Sequence, residues 1–162
     1  MTEHDLRTEL KTSFKNRAIL YCLIFDELRG EIGEERAMAV LKRAIRRRGE
    51  QVGQRFRPFA PRDLAGLKDA FLNGIPDEGR LFEPQVVQCD DHSLVIHLNA
   101  CPLKEAWEEL GLDDREKAML CEIAGEIDRG TFEGAGFSFE PDTWQPGRTG
   151  CCHLKIGPGP AP

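Results

Sequence analysis

Apolar residues in the first part of the chain recur at helical spacing. Leu6, Leu10, Phe14, Ala18, Tyr21, Phe25 and Leu28 follow one another at steps of mostly three and four residues. That spacing predicts a long amphipathic helix over residues 6–28, ended by Gly30. A second helix follows Gly33, with Ala37, Val40, Leu41, Ala44 and Ile45 as its buried stripe. Glu34 and Glu35 suit its first turn, and Gly49 and Gly53 weaken its end. The proline-broken segment RFRPFAPRD leads to a shorter helix over 61–73, closed by the turn-rich joint NGIPDEG.

From residue 81 the period changes to two. Residues 82–89 and 93–98 read as strands joined through Asp90 and Asp91, a connection that is far too short for a parallel crossover. Helices are predicted over 103–110 and 113–128, the second N-capped by Asp113 and ended by Gly130, Gly134 and Gly136. Strands follow over 137–140 and 152–156, then a flexible GPGPAP tail over 157–162. The whole predicts one α+β domain over 1–156, with a helical half (1–75) and a mixed half (80–156). The helical N-terminal half packs on a small antiparallel sheet, with further helices inserted between the strands.

Composition narrows the function classes. The 162 residues carry a net charge of −6, against the basic face of a phosphate-backbone binder, so no nucleic-acid partner is expected. Arg46, Arg47 and Arg48 read as a solvated helix end rather than a nucleic-acid patch. No run has the length of a membrane span, and the first residues lack the pattern of a signal peptide. The expected address is cytoplasmic. There, six cysteines are better read as free thiols, metal ligands or reactive groups than as disulfides.

Candidate chemistry gathers in 97–128 and 149–156. Cys101 stands before Pro102 at a helix start, where backbone N–H groups and the helix dipole lower a thiol pKa; its alternative is a small residue in a tight turn. Cys121 and Asp128, seven residues apart, predict two turns along one helical face, with Asp128 needing a partner or a proton if that face is buried. It is otherwise an ordinary carboxylate at a helix end. Alternation in the last strand places Cys152, Leu154 and Ile156 inward and Cys151, His153 and Lys155 opposite, which favours Cys152 as the site cysteine. His97 follows Val95 on one strand face and leads towards Cys101, making it the better histidine candidate beside a structural role. Arg17 and Tyr21, one turn apart on the first helix, can receive a substrate carboxylate or merely pack. Cys22 and Cys89 read as packing. No CxxC spacing is present, so any metal site has to be assembled by the fold.

A cysteine followed by Pro-Leu, a cysteine and then an aspartate on the next long helix, and a last strand reading glycine, short gap, cysteine and alternating apolar residues resemble the L-2-aminothiazoline-4-carboxylate hydrolase family. GEERA at 33–37 is similar to the start of that family's second helix. Two departures stand out: Gly147 to Cys152 is one residue longer, with Cys151 inserted, and His153-Leu154 replaces an acidic–aromatic pair. The resemblance implies hydrolysis of a cyclic amidine. Water adds to C2, the ring sulfur leaves, and N-carbamoyl-L-cysteine forms. Carried over by position, the catalytic residues are Cys101, Cys121, Asp128 and Cys152.

Two mechanisms suit this set. A zinc on Cys101, Cys121 and Cys152 could activate water with Asp128 moving protons, or Cys101 could attack the amidine carbon itself. Outside catalysis, the same last strand is similar to vinyl-4-reductase-type domains, which bind small molecules without transforming them. Such domains usually adjoin an output domain, for which this chain leaves no room. A purely structural zinc module would need a fourth ligand from His97 or His153.

Overall fold

A computed structural model describes residues 1–161. Its first helix, α1 (Glu3–Ile32), starts from a reciprocal cap. The Asp5 N–H donates to Thr2 Oγ1 at 3.1 Å, and the Thr2 N–H donates to Asp5 Oδ2 at 2.8 Å. Gly30 does not end the helix. Termination comes at Gly33, whose φ of 84° lies in the left-handed region that glycine adopts without a Cβ penalty. Only the middle of α1 is buried, at Ala18, Cys22 and Phe25, while Leu6 is 54% exposed. Here α1 meets α4 (Pro102–Glu109), and the Trp107 indole N–H donates to the Ala18 carbonyl at 2.8 Å.

The second helix, α2 (Glu34–Gly53), buries Ala37, Leu41, Ile45, Gly49 and Gly53, one residue every four. Val40 and Ala44 fall outside this narrower stripe. The two glycines are helical and form a seam with α6 (Glu126–Ala135). A Cβ on Gly49 would lie 2.3 Å from the Ile127 carbonyl oxygen, one on Gly53 2.2 Å from that of Thr131, and one on Gly130 2.2 Å from that of Arg46. Two backbones therefore touch where any side chain would separate them. The flexibility cost of glycine within a helix is offset by this close crossing. Gly130 and Gly134 likewise sit within α6, which stops only at Gly136.

The predicted helix over 113–128 is two helices, α5 (Asp114–Ala124) and α6, that meet at Gly125. A Cβ on Gly125 would approach Thr143 Cγ2 to 2.6 Å. α3 (Leu64–Asn73) begins where Asp63 Oδ1 accepts the Gly66 N–H at 2.8 Å.

The sheet contains β1 (Pro84–Cys89), β2 (Leu94–Leu98), β3 (Ser138–Asp142) and β4 (His153–Gly157), in the order β1-β2-β4-β3 and antiparallel throughout. Leu94 and Ile96 pair with Ile156 and Leu154, and all four face a core shared with Phe56, Leu67, Phe132 and Phe137. Alternation sends Val95, His97, His153 and Lys155 to the other face. A second core fills the space between α1, α2, α4 and α5 around Phe25, Leu41, Trp107 and Ile123. The fold class is thus α+β, mostly helical, with a small antiparallel sheet.

The segment expected to be a flexible tail starts inside the fold. Gly157 belongs to β4, and the buried Gly159 donates its N–H to the Pro61 carbonyl at 2.9 Å. Pro162 lies outside the described residues. No helix among those residues is long and apolar enough to cross a membrane.

Candidate active site

Between the two cores lies a cavity of about 280 Å³. The chain reaches it from β2, where Leu98 faces inward and Asn99 and Ala100 are held by N–H bonds to the carbonyls of Glu83 (3.2 Å) and Phe82 (3.1 Å). Cys101 follows in an extended conformation as the N-cap of α4, with Pro102 at the first helical position, where no N–H bond is lost. Its thiol faces the helix N-terminus.

The Cys101 pKa is lowered, first by a hydrogen bond from the Cys151 thiol and then by the backbone N–H groups of Leu103 and Lys104. Burial and the Asp128 carboxylate act in the opposite direction, and the stabilising donors outweigh them. Cys151 remains a thiol. Its ties to Cys101, Cys121 and Cys152, together with burial, push its pKa far up.

Cys151 and Cys152 continue the β2–β4 pairing just before β4. The Cys151 N–H donates to the Leu98 carbonyl, and the Leu98 N–H donates to that of Cys152, both at 2.9 Å. The two sulfurs are 3.7 Å apart. Gly150, with φ of 81°, makes the turn into this pairing next to Asn99. Cys151 is the fully buried member, and Cys152 is only half-buried. Both line the cavity, so the expected Cys152 is there together with Cys151. Regular alternation starts at His153, one residue later than predicted, and does not extend through the turn.

Asp128 faces the cavity from α6. Its carboxyl has neither a hydrogen bond nor an ion pair among the described residues, and burial alone raises its pKa to about 7. It is thus divided between acid and carboxylate near neutral pH. Cys121 lines the same cavity from α5, so it reaches Asp128 across the break at Gly125 rather than along one helical face.

From α1, Arg17 and Tyr21 also face the cavity. Burial raises the Tyr21 pKa, partly offset by the Arg17 charge. The Arg17 guanidinium lies over the Phe14 ring, 5.0 Å from its centroid. Among the described residues no carboxylate pairs with it.

His97 is not part of this arrangement. Leu94, Ile96 and Leu98 occupy the inward positions of β2, so His97 stacks on His153 across the outer face, with ring centroids 3.6 Å apart. Its expected role in substrate binding is corrected on that ground. Among the described residues no three His, Cys, Asp or Glu side chains are arranged to hold a metal ion. Cys151 is the shared neighbour of Cys101, Cys121 and Cys152. Besides Cys151, the sequence reading missed Arg55, which lines the cavity from the 3₁₀ turn Gln54–Phe59 and has no local signature of a site.

Residues 13–155 match the family described as L-2-amino-thiazoline-4-carboxylic acid hydrolase, and the chain belongs to that family. No curated protein matches the chain.

Proposed function

We propose that this family member is a hydrolase that opens a cyclic amidine, with an L-2-aminothiazoline-4-carboxylate-like substrate giving an N-carbamoyl-cysteine-like product. The observation that carries the reading is the pairing, in one cavity, of the Cys101 thiol with its lowered pKa and the Asp128 carboxyl poised at about 7. A thiol whose pKa is lowered and a proton carrier matched to neutral pH suit amidine hydrolysis. Arg17 and Tyr21 supply a cation and a phenol for the substrate carboxylate.

In the proposed sequence the Cys101 thiolate adds to C2, and the C=N electron pair moves to the ring nitrogen, which takes a proton from Asp128. The C2–S bond then breaks, its electrons remaining on the ring sulfur, which leaves as a thiol once protonated by the amidinium. An isothiourea on Cys101 remains. Water attacks its carbon and gives a proton to the former C=N nitrogen. Collapse expels the Cys101 thiol, whose proton returns to the Asp128 carboxylate. The net change is addition of one water, with both residues restored.

A ligand-binding domain without catalysis would use the same cavity but would not need an ionised thiol. Incubation with L-2-aminothiazoline-4-carboxylate separates the two. Mass spectrometry should find a product heavier by one water and carrying one new thiol, absent with Cys101→Ser. Tight binding with unchanged substrate would leave the binding-domain alternative standing instead.

A further inference from the structure

The six cysteines of the chain divide into two groups. Cys22 is buried in α1 with its Sγ 4.0 Å from Asp26 Oδ2, and Cys89 is exposed at the end of β1. Cys101, Cys121, Cys151 and Cys152 all line the cavity. The proposed hydrolysis makes and breaks bonds at Cys101 alone, so three further thiols stand around it with no such role.

The backbone holds these thiols together from both sides of Cys101. Before it, Leu98 exchanges N–H bonds with Cys151 and Cys152, both at 2.9 Å. After it, in the first turn of α4, Lys104 Nζ donates to the Gly150 carbonyl at 2.6 Å. Within this clamp the Cys151 thiol donates to the Cys101 sulfur, and the Cys151 and Cys152 sulfurs are 3.7 Å apart. Cys121 and Cys152 are tied to Cys151, and among the described residues only Cys151 of the three is hydrogen-bonded to Cys101. Cys101 is half-buried, and its sulfur also receives the backbone N–H groups of Leu103 and Lys104. A thiol stabilised in its ionised form and reached from a cavity is the kind that peroxides oxidise. A second thiol in contact with it captures the oxidised sulfur before more oxygen adds.

We infer that the cavity carries a second, redox chemistry: hydrogen peroxide oxidises Cys101, and Cys151 resolves the product as a reversible Cys101–Cys151 disulfide. In the first step the Cys101 sulfur attacks one peroxide oxygen. The S–O bond forms and the O–O bond breaks, and the departing hydroxide takes up the proton that Cys101 released on ionising. In the second step the Cys151 sulfur attacks the Cys101 sulfur. The S–S bond forms, the S–O bond breaks, and the hydroxyl leaves as water with the Cys151 proton. Two thiols are thereby oxidised and one peroxide is reduced to two waters. That the link also withdraws the nucleophile from hydrolysis rests on the proposed function; the oxidation itself does not.

Peptide mapping by mass spectrometry tests it, on a Cys89→Ser chain that lacks the exposed thiol. Peroxide should give a product lighter by about 2 Da, with Cys101 joined to Cys151, and dithiothreitol should reverse it. With Cys151→Ala added, Cys101 should instead gain about 32 Da, which dithiothreitol does not remove. Cys101→Ser should slow consumption of peroxide at least about tenfold. A disulfide joining any other pair, oxygen accumulating on Cys101 while Cys151 is present, or an unchanged rate in Cys101→Ser would each overturn the inference. The linked peptides of the Cys89→Ser chain decide the pairing whether or not the Cys151 variant folds. Every reading is of mass or peroxide, so a failure to hydrolyse thiazolines would sink the proposed function and leave this result intact.

Discussion

Two clusters of titratable side chains stand one rung apart on the same β-ladder and face opposite ways. His97 pairs with His153 on the outer face of the sheet, where Asp142, Arg148 and Lys155 surround them. The next rung joins Leu98 to Cys151 and Cys152, which face the cavity with Cys101 and Asp128. On the outer face, burial, the Arg148 charge and His97 lower the His153 pKa, against the opposing pull of Asp142. In the cavity, desolvation has no ion pair to oppose it at Asp128, and the carboxyl is carried up to about 7. Both clusters look like sites when residue types alone are counted. Only the inward one brings a thiol with a lowered pKa and a carboxyl raised to about 7 to the same cavity.

Substitution can break that contrast. Cys101→Ser should cost about 10⁴-fold or more in kcat/KM, while His97→Ala should change it less than about threefold, because the ring lies outside the cavity. Comparable losses would merge the two clusters into one functional unit.

Asp128→Asn should lower kcat by about 10²–10³-fold and remove the ionisation near pH 7 from the rate profile. Its effect on stability runs the other way. A carboxyl whose pKa is raised on folding favours the folded state fully below its unfolded value of 3.8, and that benefit is lost as pH rises through about 7. Denaturation of the wild type should therefore show a stability loss of about 2–4 kcal/mol from pH 4 to pH 8, absent in Asp128→Asn.

Cys151→Ala removes the donor that contributes most to lowering the Cys101 pKa. The acidic limb of the rate profile should move up, with about a tenfold loss at pH 6 and little at pH 9, and a smaller change for Cys152→Ala. A strong chelator should leave both activity and melting temperature unchanged; loss of either would restore the zinc mechanism. The smallest expected effect belongs to the outer face. The lowered His153 pKa makes its contribution present above the unfolded value of 6.5 and lost as pH falls below it. For a ring only partly buried and open to solvent screening the loss should be under about 1 kcal/mol and absent in His153→Gln.

Legibility followed how local each signal was. The helices, the β1–β2 pair, the capping role of Asp113 and the position of Cys101 before Pro102 all depend on neighbours within a few residues. Arg17 and Tyr21 were also readable, because helical spacing puts them on one side of α1. Glycine was misread. Gly49, Gly53, Gly130 and Gly134 have the signature of helix ends, yet they lie where two helices meet backbone to backbone. A residue without a side chain suits both situations, and one chain segment does not reveal whether another packs against it.

The sequence by itself determined the helical and strand periods, the α+β class and the candidacy of Cys101, Cys121 and Asp128, since these follow from spacing and from family motifs. Only the tertiary structure decided that Cys151 and Arg55 line the cavity and that His97 does not. Cys151 and Arg55 come to the cavity through turns and through contacts with distant segments. The environment of Asp128 is likewise collective. Its carboxyl is raised to about 7 by desolvation, which is a property of the assembled surroundings rather than of any residue within them.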